Sequence, residues 1–132
     1  MSRSKSDSPL RIYRPLPLFA DRKQIEEVLR HGSIQELLIL PLALGEHCPN
    51  WKYAQGVCLG LAEHSDPAVR ANACLGLAYI ARTKQRLEKH LVKPILLREL
   101  RDQIEFRWRI EDAIKDINHY LKWNLANKHE DK

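Results

Sequence analysis

Apolar residues recur along most of the chain at the three- and four-residue spacing of amphipathic helices. One such pattern follows Asp21, a second follows the Ser-Ile-Gln-Glu capping box at residues 33–36, and a third follows Asn50. The clearest helix start is Ser-Asp-Pro at residues 65–67, where an N-cap residue precedes a proline at the first helical position. The period-two alternation of strands is absent over any useful length. The sequence therefore predicts an all-α protein.

Further helical patterns define the second half of the chain. The helix that starts at Pro67 is predicted to extend to about Arg82, and another, interrupted at Pro94, follows it. The last predicted helix extends from about Ile104 to Trp123. Apolar positions of the interrupted helix are Leu87, Leu91, Ile95 and Leu100, and those of the last helix are Phe106, Ile110, Ala113, Ile114, Ile117 and Leu121.

The two ends of the chain lack this pattern. Residues 1–9 are polar and rich in serine, and Pro15 and Pro17 exclude regular helix from residues 10–20. We therefore expect a disordered start and an extended arm over residues 1–20, with the arm packed on the body of the protein. We expect a single helical domain over residues 21–125 and a frayed, charged tail over residues 126–132.

One helical segment repeats another at an offset of 37 residues. The apolar positions of residues 69–80 fall on apolar or small residues of 106–117, and Arg70 falls on Arg107. A period of this length with two helices per unit is typical of an α-solenoid.

Residues 66–77, Asp-Pro-Ala-Val-Arg-Ala-Asn-Ala-Cys-Leu-Gly-Leu, resemble the turn and second helix of a HEAT repeat. Asp66 caps the helix, Pro67 begins it and Val69 packs inward. The likeness is weaker over residues 87–121, where Gln103 stands in place of the aspartate, and weaker again over 21–45. The resemblance implies a short right-handed α-α superhelix of about three HEAT-like helix pairs, with atypical first and last pairs.

The helix over residues 67–82 is apolar on nearly all sides. Its far side consists of Ala71, Leu75 and Ala78, opposite the core stripe. Two interpretations fit this pattern. Either the helix is buried on all sides in a middle repeat, or its far side is an exposed patch for a partner.

Composition and charge restrict the kind of partner and the cellular location that the sequence predicts. The 132 residues include 22 Lys and Arg against 17 Asp and Glu, and the net charge of +5 permits an acidic partner. An odd count of three cysteines argues against a disulfide framework. We expect a cytoplasmic protein without membrane contact, because no signal-peptide core and no membrane-length apolar run are present.

Motifs that carry chemistry are missing from the sequence. It contains no glycine-rich phosphate loop, no nucleophile elbow and no zinc-protease motif. The pair formed by His47 and Cys48 has no second pair at zinc-ligand spacing. We therefore expect no enzyme activity, no metal, no cofactor and no small-molecule substrate.

The last helix carries the best candidate for a binding surface. Trp108, Asp112, Lys115 and His119 share one helical face opposite the apolar stripe. Tryptophan is enriched at interaction hot spots, although Trp108 or Trp123 could instead pack within the molecule. The predicted partner-binding residues are Trp108, Asp112, Lys115 and His119, with Arg70, Arg82 and Arg109 nearby.

These observations favour a non-enzymatic protein-binding module. The most specific hypothesis, based on analogy of fold, is a cytosolic bacterial immunity protein that neutralises a cognate toxin such as a nuclease. One alternative is a nucleic-acid-binding protein that uses the Lys and Arg clusters at residues 82–89 and 98–109, which contain interleaved acidic residues. The other alternative is an adaptor or scaffold protein.

Overall fold

Six helices and their connections make up residues 21–126, which are the residues that the computed structural model describes. The helices are α1 (Arg22–His31), α2 (Ile34–His47), α3 (Trp51–Leu61), α4 (Pro67–Lys84), α5 (Lys89–Asp102) and α6 (Arg107–Leu121). No strand occurs within this range, so the prediction of an all-α fold is confirmed for it. The predicted arm at residues 1–20 and residues 127–132 of the predicted tail lie outside the described residues.

Side-chain caps begin four of the helices at the positions that the sequence predicts. Asp21, Asn50 and Asp66 each accept a hydrogen bond from a backbone amide in the first turn of the following helix. Ser33 and Glu36 form a reciprocal capping box at the start of α2. Because the first amides of a helix lack partners within it, these caps fix where each helix begins.

The even-numbered helices form a row in which α4 lies between α2 and α6. Asn72 donates to the carbonyl of Leu38 in the first half of α2, and Thr83 donates to the carbonyl of Gly45 near its end. Since both contacts advance in the same order along the two helices, α2 and α4 run in the same direction. Arg109, at the start of α6, donates to the side chain of Asn72 and extends the row.

The odd-numbered helices show the same relationship. Gln55 in α3 exchanges hydrogen bonds with Glu88, just before α5, and Arg98 late in α5 bonds to Glu63 just beyond α3. Thus α3 and α5 also run in the same direction. All of these links join residues 33 to 38 positions apart, which brackets the 37-residue offset found in the sequence.

The helix α4 is the centre of the core. It packs against α2, α3, α5 and α6, and nine of its residues are buried. Ala71 and Ala78 on its far side are 0% and 1% exposed, and Leu75 is half-buried. The interpretation of α4 as a central, buried helix is therefore confirmed, and of its far side only Leu75 keeps part of its surface accessible.

Two glycines allow the backbones of α2 and α4 to touch. A β-carbon at Gly76 would lie 2.7 Å from the carbonyl oxygen of Pro41 and 2.8 Å from the sulfur of Cys58. A β-carbon at Gly45 would lie 2.6 Å from the carbonyl oxygen of Gly76. Any side chain at either position would push the two helices apart.

Two helices differ in extent from the prediction. The helix α5 continues through Pro94 without interruption, and Pro94 itself is exposed. A proline on the solvent side is tolerated because water can satisfy the carbonyl that has lost its amide partner.

The helix α6 ends at Leu121, where Lys122 adopts a left-handed conformation with a φ of 61°. Trp123 therefore leaves the helical face to which its spacing assigns it.

The buried stripe of α5 is displaced by one residue from the predicted one. The structure buries Val92, Leu96 and Glu99, whereas Leu91 is 43% exposed and Ile95 is half-buried. Leucine and isoleucine also occupy surface positions, so apolar spacing alone did not identify the inward face. The inward face instead includes a glutamate.

This glutamate is the centre of a buried ionic cluster. The carboxylate of Glu99, which is 2% exposed, accepts hydrogen bonds from Arg70 at 3.1 Å, Gln103 at 3.0 Å and Arg98 at 3.0 Å. The two guanidinium groups also donate to backbone carbonyls at residues 62–65. The cluster therefore ties the turn between α3 and α4 to the end of α5.

We expect Gly76→Ala to destabilise the protein by about 1–3 kcal/mol, because the added methyl group overpacks the contact between α2 and α4. Helix propensity alone would give the opposite sign, a gain of about 1 kcal/mol. Urea unfolding measures the difference. Lys115→Ala, at an exposed position of α6, serves as the control with a change within about 0.5 kcal/mol. A more stable Gly76→Ala variant would contradict the close approach.

Glu99→Gln is expected to lower the free energy of unfolding by about 2 kcal/mol, since it removes the charge that neutralises Arg70 and Arg98 while keeping the shape of the side chain. The matched control is Glu111→Gln, which breaks an exposed pair with Arg107 and should change stability by less than about 0.5 kcal/mol. Equal effects of the two variants in denaturant titrations would show that the cluster is not structurally important.

Candidate functional site

The exposed side of the even-numbered row forms the candidate site. Asn72, Leu75 and Tyr79 lie at i, i+3 and i+7 on α4 and are half-buried. On α6 the exposed Trp108 is linked to this strip through Arg109, and the exposed Asp112 lies one turn further along the helix. We call this surface the even-helix face, defined by Asn72, Leu75, Tyr79, Trp108 and Asp112.

Hydrogen bonds lock the three helices together at one end of the even-helix face. The side-chain nitrogen of Asn72 donates to the Leu38 carbonyl at 3.0 Å, and its side-chain oxygen accepts from the guanidinium of Arg109 at 2.9 Å. One side chain therefore joins α2, α4 and α6. The guanidinium of Arg109 lies 4.5 Å from the ring centroid of Phe106 and 5.3 Å from that of Trp108. Trp108 is therefore supported from one side by a cation that is itself fixed.

The four residues predicted to share a face of α6 do lie together on its exposed side. Trp108, Asp112, Lys115 and His119 are all exposed, and Trp108 has 56% of its surface accessible. The opposite side of the helix is buried in the core. Tryptophan is a residue type enriched at interaction hot spots, and here its ring is accessible.

The three predicted arginines occupy different places. Arg109 lies beside Trp108, whereas Arg82, near the end of α4, pairs with Glu46 and stacks over Tyr79. Arg70 belongs to the ionic cluster around Glu99 and does not join them. Positions 70 and 72 differ by about 200° around a helix, so their side chains leave α4 on opposite sides.

Trp123 and Trp108 have separate roles. Trp123 is half-buried and packs against the core, with the ammonium of Lys89 at 5.8 Å from its ring. Beyond it, Leu125 is 2% exposed and is held by two hydrogen bonds to the side chain of Asn118. The alternative of packing within the molecule thus applies to Trp123, which seals the end of the core.

Sequence reasoning missed two residues of this region. Ile104 lies in the turn before α6 and is 93% exposed, although its spacing assigned it to the last helix. Asn72 has no local signal for its bridging role. The offset of 37 residues that relates it to Arg109 could have revealed this pair, because stacked repeats bring equivalent positions together.

Ion pairs neutralise much of the predicted basic patch. Arg98 contacts both Glu63 and Glu99, and its hydrogen bond to Glu63 raises the pKa of its guanidinium. Arg101 and Arg107 each pair with a carboxylate on their own helix. With Arg82, which pairs with Glu46, four of the eight cations in the two predicted clusters have a carboxylate partner, and this reduces the charge available to a phosphate backbone.

The buried thiols are poor nucleophiles. Burial raises the pKa of Cys58 well above its ordinary value of 9.0, and burial with the nearby Glu99 charge raises that of Cys74 to about 12. The ring of His64 accepts a hydrogen bond from the backbone amide of Asp66 and so stabilises the turn between α3 and α4. Within residues 21–126, no group of three His, Cys, Asp or Glu side chains could hold a metal ion.

No protein-family model, no curated protein and no solved structure matches the chain. Among the helices of residues 21–126, none has the length and apolar character needed to cross a membrane. A functional proposal therefore depends on the geometry of the even-helix face.

We expect one of the three cysteines to react with a thiol reagent such as DTNB in the native protein at pH 8. Cys48 is half-buried at the end of α2, whereas Cys58 and Cys74 are buried and held protonated. All three should react after denaturation in guanidinium. Rapid reaction of more than one thiol in the native state would show that the core around α4 opens readily; Cys48→Ser identifies the reactive site.

Proposed function

We propose that the protein is a non-catalytic protein-binding module that uses the even-helix face. The observation that carries the proposal is the exposed ring of Trp108, supported by Arg109, which is itself anchored to Asn72. An exposed aromatic side chain beside a half-buried apolar strip is the kind of residue that forms interaction hot spots. Leu75 and Tyr79 supply further apolar surface in that strip.

The charged residues near Trp108 on the exposed side of α6 would set the orientation of the partner. Asp112 and Lys115 are exposed and carry opposite charges next to Trp108 on α6. Such residues influence the association rate and specificity more than the affinity. His119, also exposed, would make binding depend on pH if its ring contacts the partner.

The finer architecture that we propose is a short right-handed superhelix of three HEAT-like helix pairs. Three observations support it: the shared direction of α2 and α4, the shared direction of α3 and α5, and links between residues 33 to 38 positions apart. In such a solenoid the second helices of successive pairs line one continuous surface. The even-helix face occupies that position.

The most specific form of the proposal is a cytosolic immunity protein that binds and neutralises a cognate bacterial toxin. This form is based on analogy of fold, and the net charge of +5 favours a toxin domain with an acidic surface. An adaptor that recruits another enzyme would use the same face. Nucleic-acid binding receives less support, because the arginines of residues 98–109 are engaged with carboxylates or fixed beside Phe106 and Trp108.

Trp108→Ala is expected to weaken binding of the partner at least tenfold, or about 1.4 kcal/mol, while leaving the melting temperature nearly unchanged. Affinity capture from the source organism with the full wild-type chain, followed by mass spectrometry, identifies the partner. Isothermal titration calorimetry then compares the purified variants. Leu91→Ala removes a similarly exposed apolar side chain from α5 and should retain affinity.

Two results would contradict this proposal. A large fall in stability of Trp108→Ala with unchanged affinity would mean that the tryptophan serves the fold. Capture of DNA or RNA with strong salt dependence and no effect of Trp108→Ala would favour the nucleic-acid alternative. For the specific form, the captured partner should be a toxin that the full chain inhibits.

A further inference from the structure

A second surface of the molecule has no role in the proposed function. Between α1 and α3 lies an open groove of about 620 Å³. Leu29, which is 37% exposed, lies on the α1 side, and the floor on the α3 side includes Gly56, Val57 and Gly60. The groove therefore exposes apolar surface along two helices.

No contact among residues 21–126 explains why positions 56 and 60, in the floor of the groove, are glycines. A β-carbon at Gly56 or Gly60 would meet no atom within 4 Å, in contrast to Gly45 and Gly76, where helices touch. Glycine inside a helix costs about 1 kcal/mol relative to alanine. Such positions are typical of places where another backbone approaches closely.

We propose that residues 10–20 of the same chain occupy this groove. The segment ends at residue 20, immediately before Asp21 caps α1. Its sequence combines two prolines with apolar side chains, a composition suited to an extended chain lying on apolar surface. The apolar residues are Leu10, Ile12, Tyr13, Leu16, Leu18 and Phe19.

Length and direction permit this arrangement. Arg22 at the start of α1 stacks on Tyr53 near the start of α3 at 4.0 Å, so the segment begins at one end of the groove. The groove follows α3 from Tyr53 to about His64, about 17 Å at the rise of a helix. Eleven extended residues span up to about 36 Å, so the segment can turn back and cover the whole groove.

Charge also favours this occupant. Arg11 and Arg14 belong to the segment, and Glu26 lies on the α1 side of the groove. The α3 side carries Lys52 and Glu63, of which Glu63 already pairs with Arg98. Among the described residues that line the other groove beside α1, between α1 and α2, five are charged or polar and Val28 is the sixth. The apolar side chains of the segment therefore fit the groove between α1 and α3.

Trypsin cleavage after Arg11, followed by mass spectrometry on the full chain, tests the proposal. The bond after Arg14 precedes Pro15 and resists trypsin, so Arg11 reports on the segment. We expect cleavage at least tenfold slower than in a synthetic peptide of residues 8–20. In Gly56→Leu, where the added side chain fills the groove, cleavage should approach the rate of the peptide.

Two further variants make the test specific. Leu18→Asp should expose Arg11 in the same way, because it alters the segment rather than the groove. Glu27→Leu adds a leucine in the groove between α1 and α2 and should leave cleavage as slow as in the wild type. Circular dichroism confirms that each variant is folded.

Three outcomes would overturn the proposal. Cleavage of the wild type at the rate of the peptide would show that the segment is undocked, and protection that survives Gly56→Leu would place it elsewhere. Release by Glu27→Leu but not by Gly56→Leu would assign it to the groove between α1 and α2. A concentration-dependent dimer with a freely cleaved segment would make a second copy of the chain the occupant.

Discussion

The direct contact between the backbones of α2 and α4 at Gly45 and Gly76 is the constraint on which the rest of the structure depends. It brings α4 close enough to α2 for Asn72 and Thr83 to reach carbonyls of that helix. With Asn72 fixed in this way, its remaining acceptor receives Arg109 and sets the position of α6. The even-helix face, including the support beneath Trp108, therefore depends on a contact beside it, since a β-carbon at Gly45 would also lie 2.6 Å from the β-carbon of Tyr79.

The features that could be predicted from the sequence are local or periodic. Asp66 and Pro67 identify the start of α4 because capping depends on neighbours in the chain. The exposure of Trp108 and its three partners on α6 follows from helical spacing against a strongly apolar stripe. The stacking of equivalent helices is visible in the 37-residue offset, because repeats place equivalent residues side by side.

What could not be predicted depends on partners distant in the sequence. From the sequence alone, Glu99 is expected to be a solvated charge. Its burial depends on a contact with Arg70, which lies 29 residues earlier in the chain. On the same side of α5 as Glu99, Val92 and Leu96 face inward in place of Leu91 and Ile95. The ionic cluster around Glu99 also holds Arg70 apart from the other predicted binding residues. The predicted interruption at Pro94 is wrong, because a proline that faces water disrupts a helix less than a buried one.

The short sequence distance between linked residues has a consequence for how the chain folds. Since these bonds close loops of 33 to 38 residues, no contact described requires the two ends of the chain to meet first. Low contact order of this kind favours rapid folding that starts locally and spreads. Because α4 is enclosed by four other helices, its amides should be the last to exchange with deuterium, after the outer helices α1 and α6 have opened.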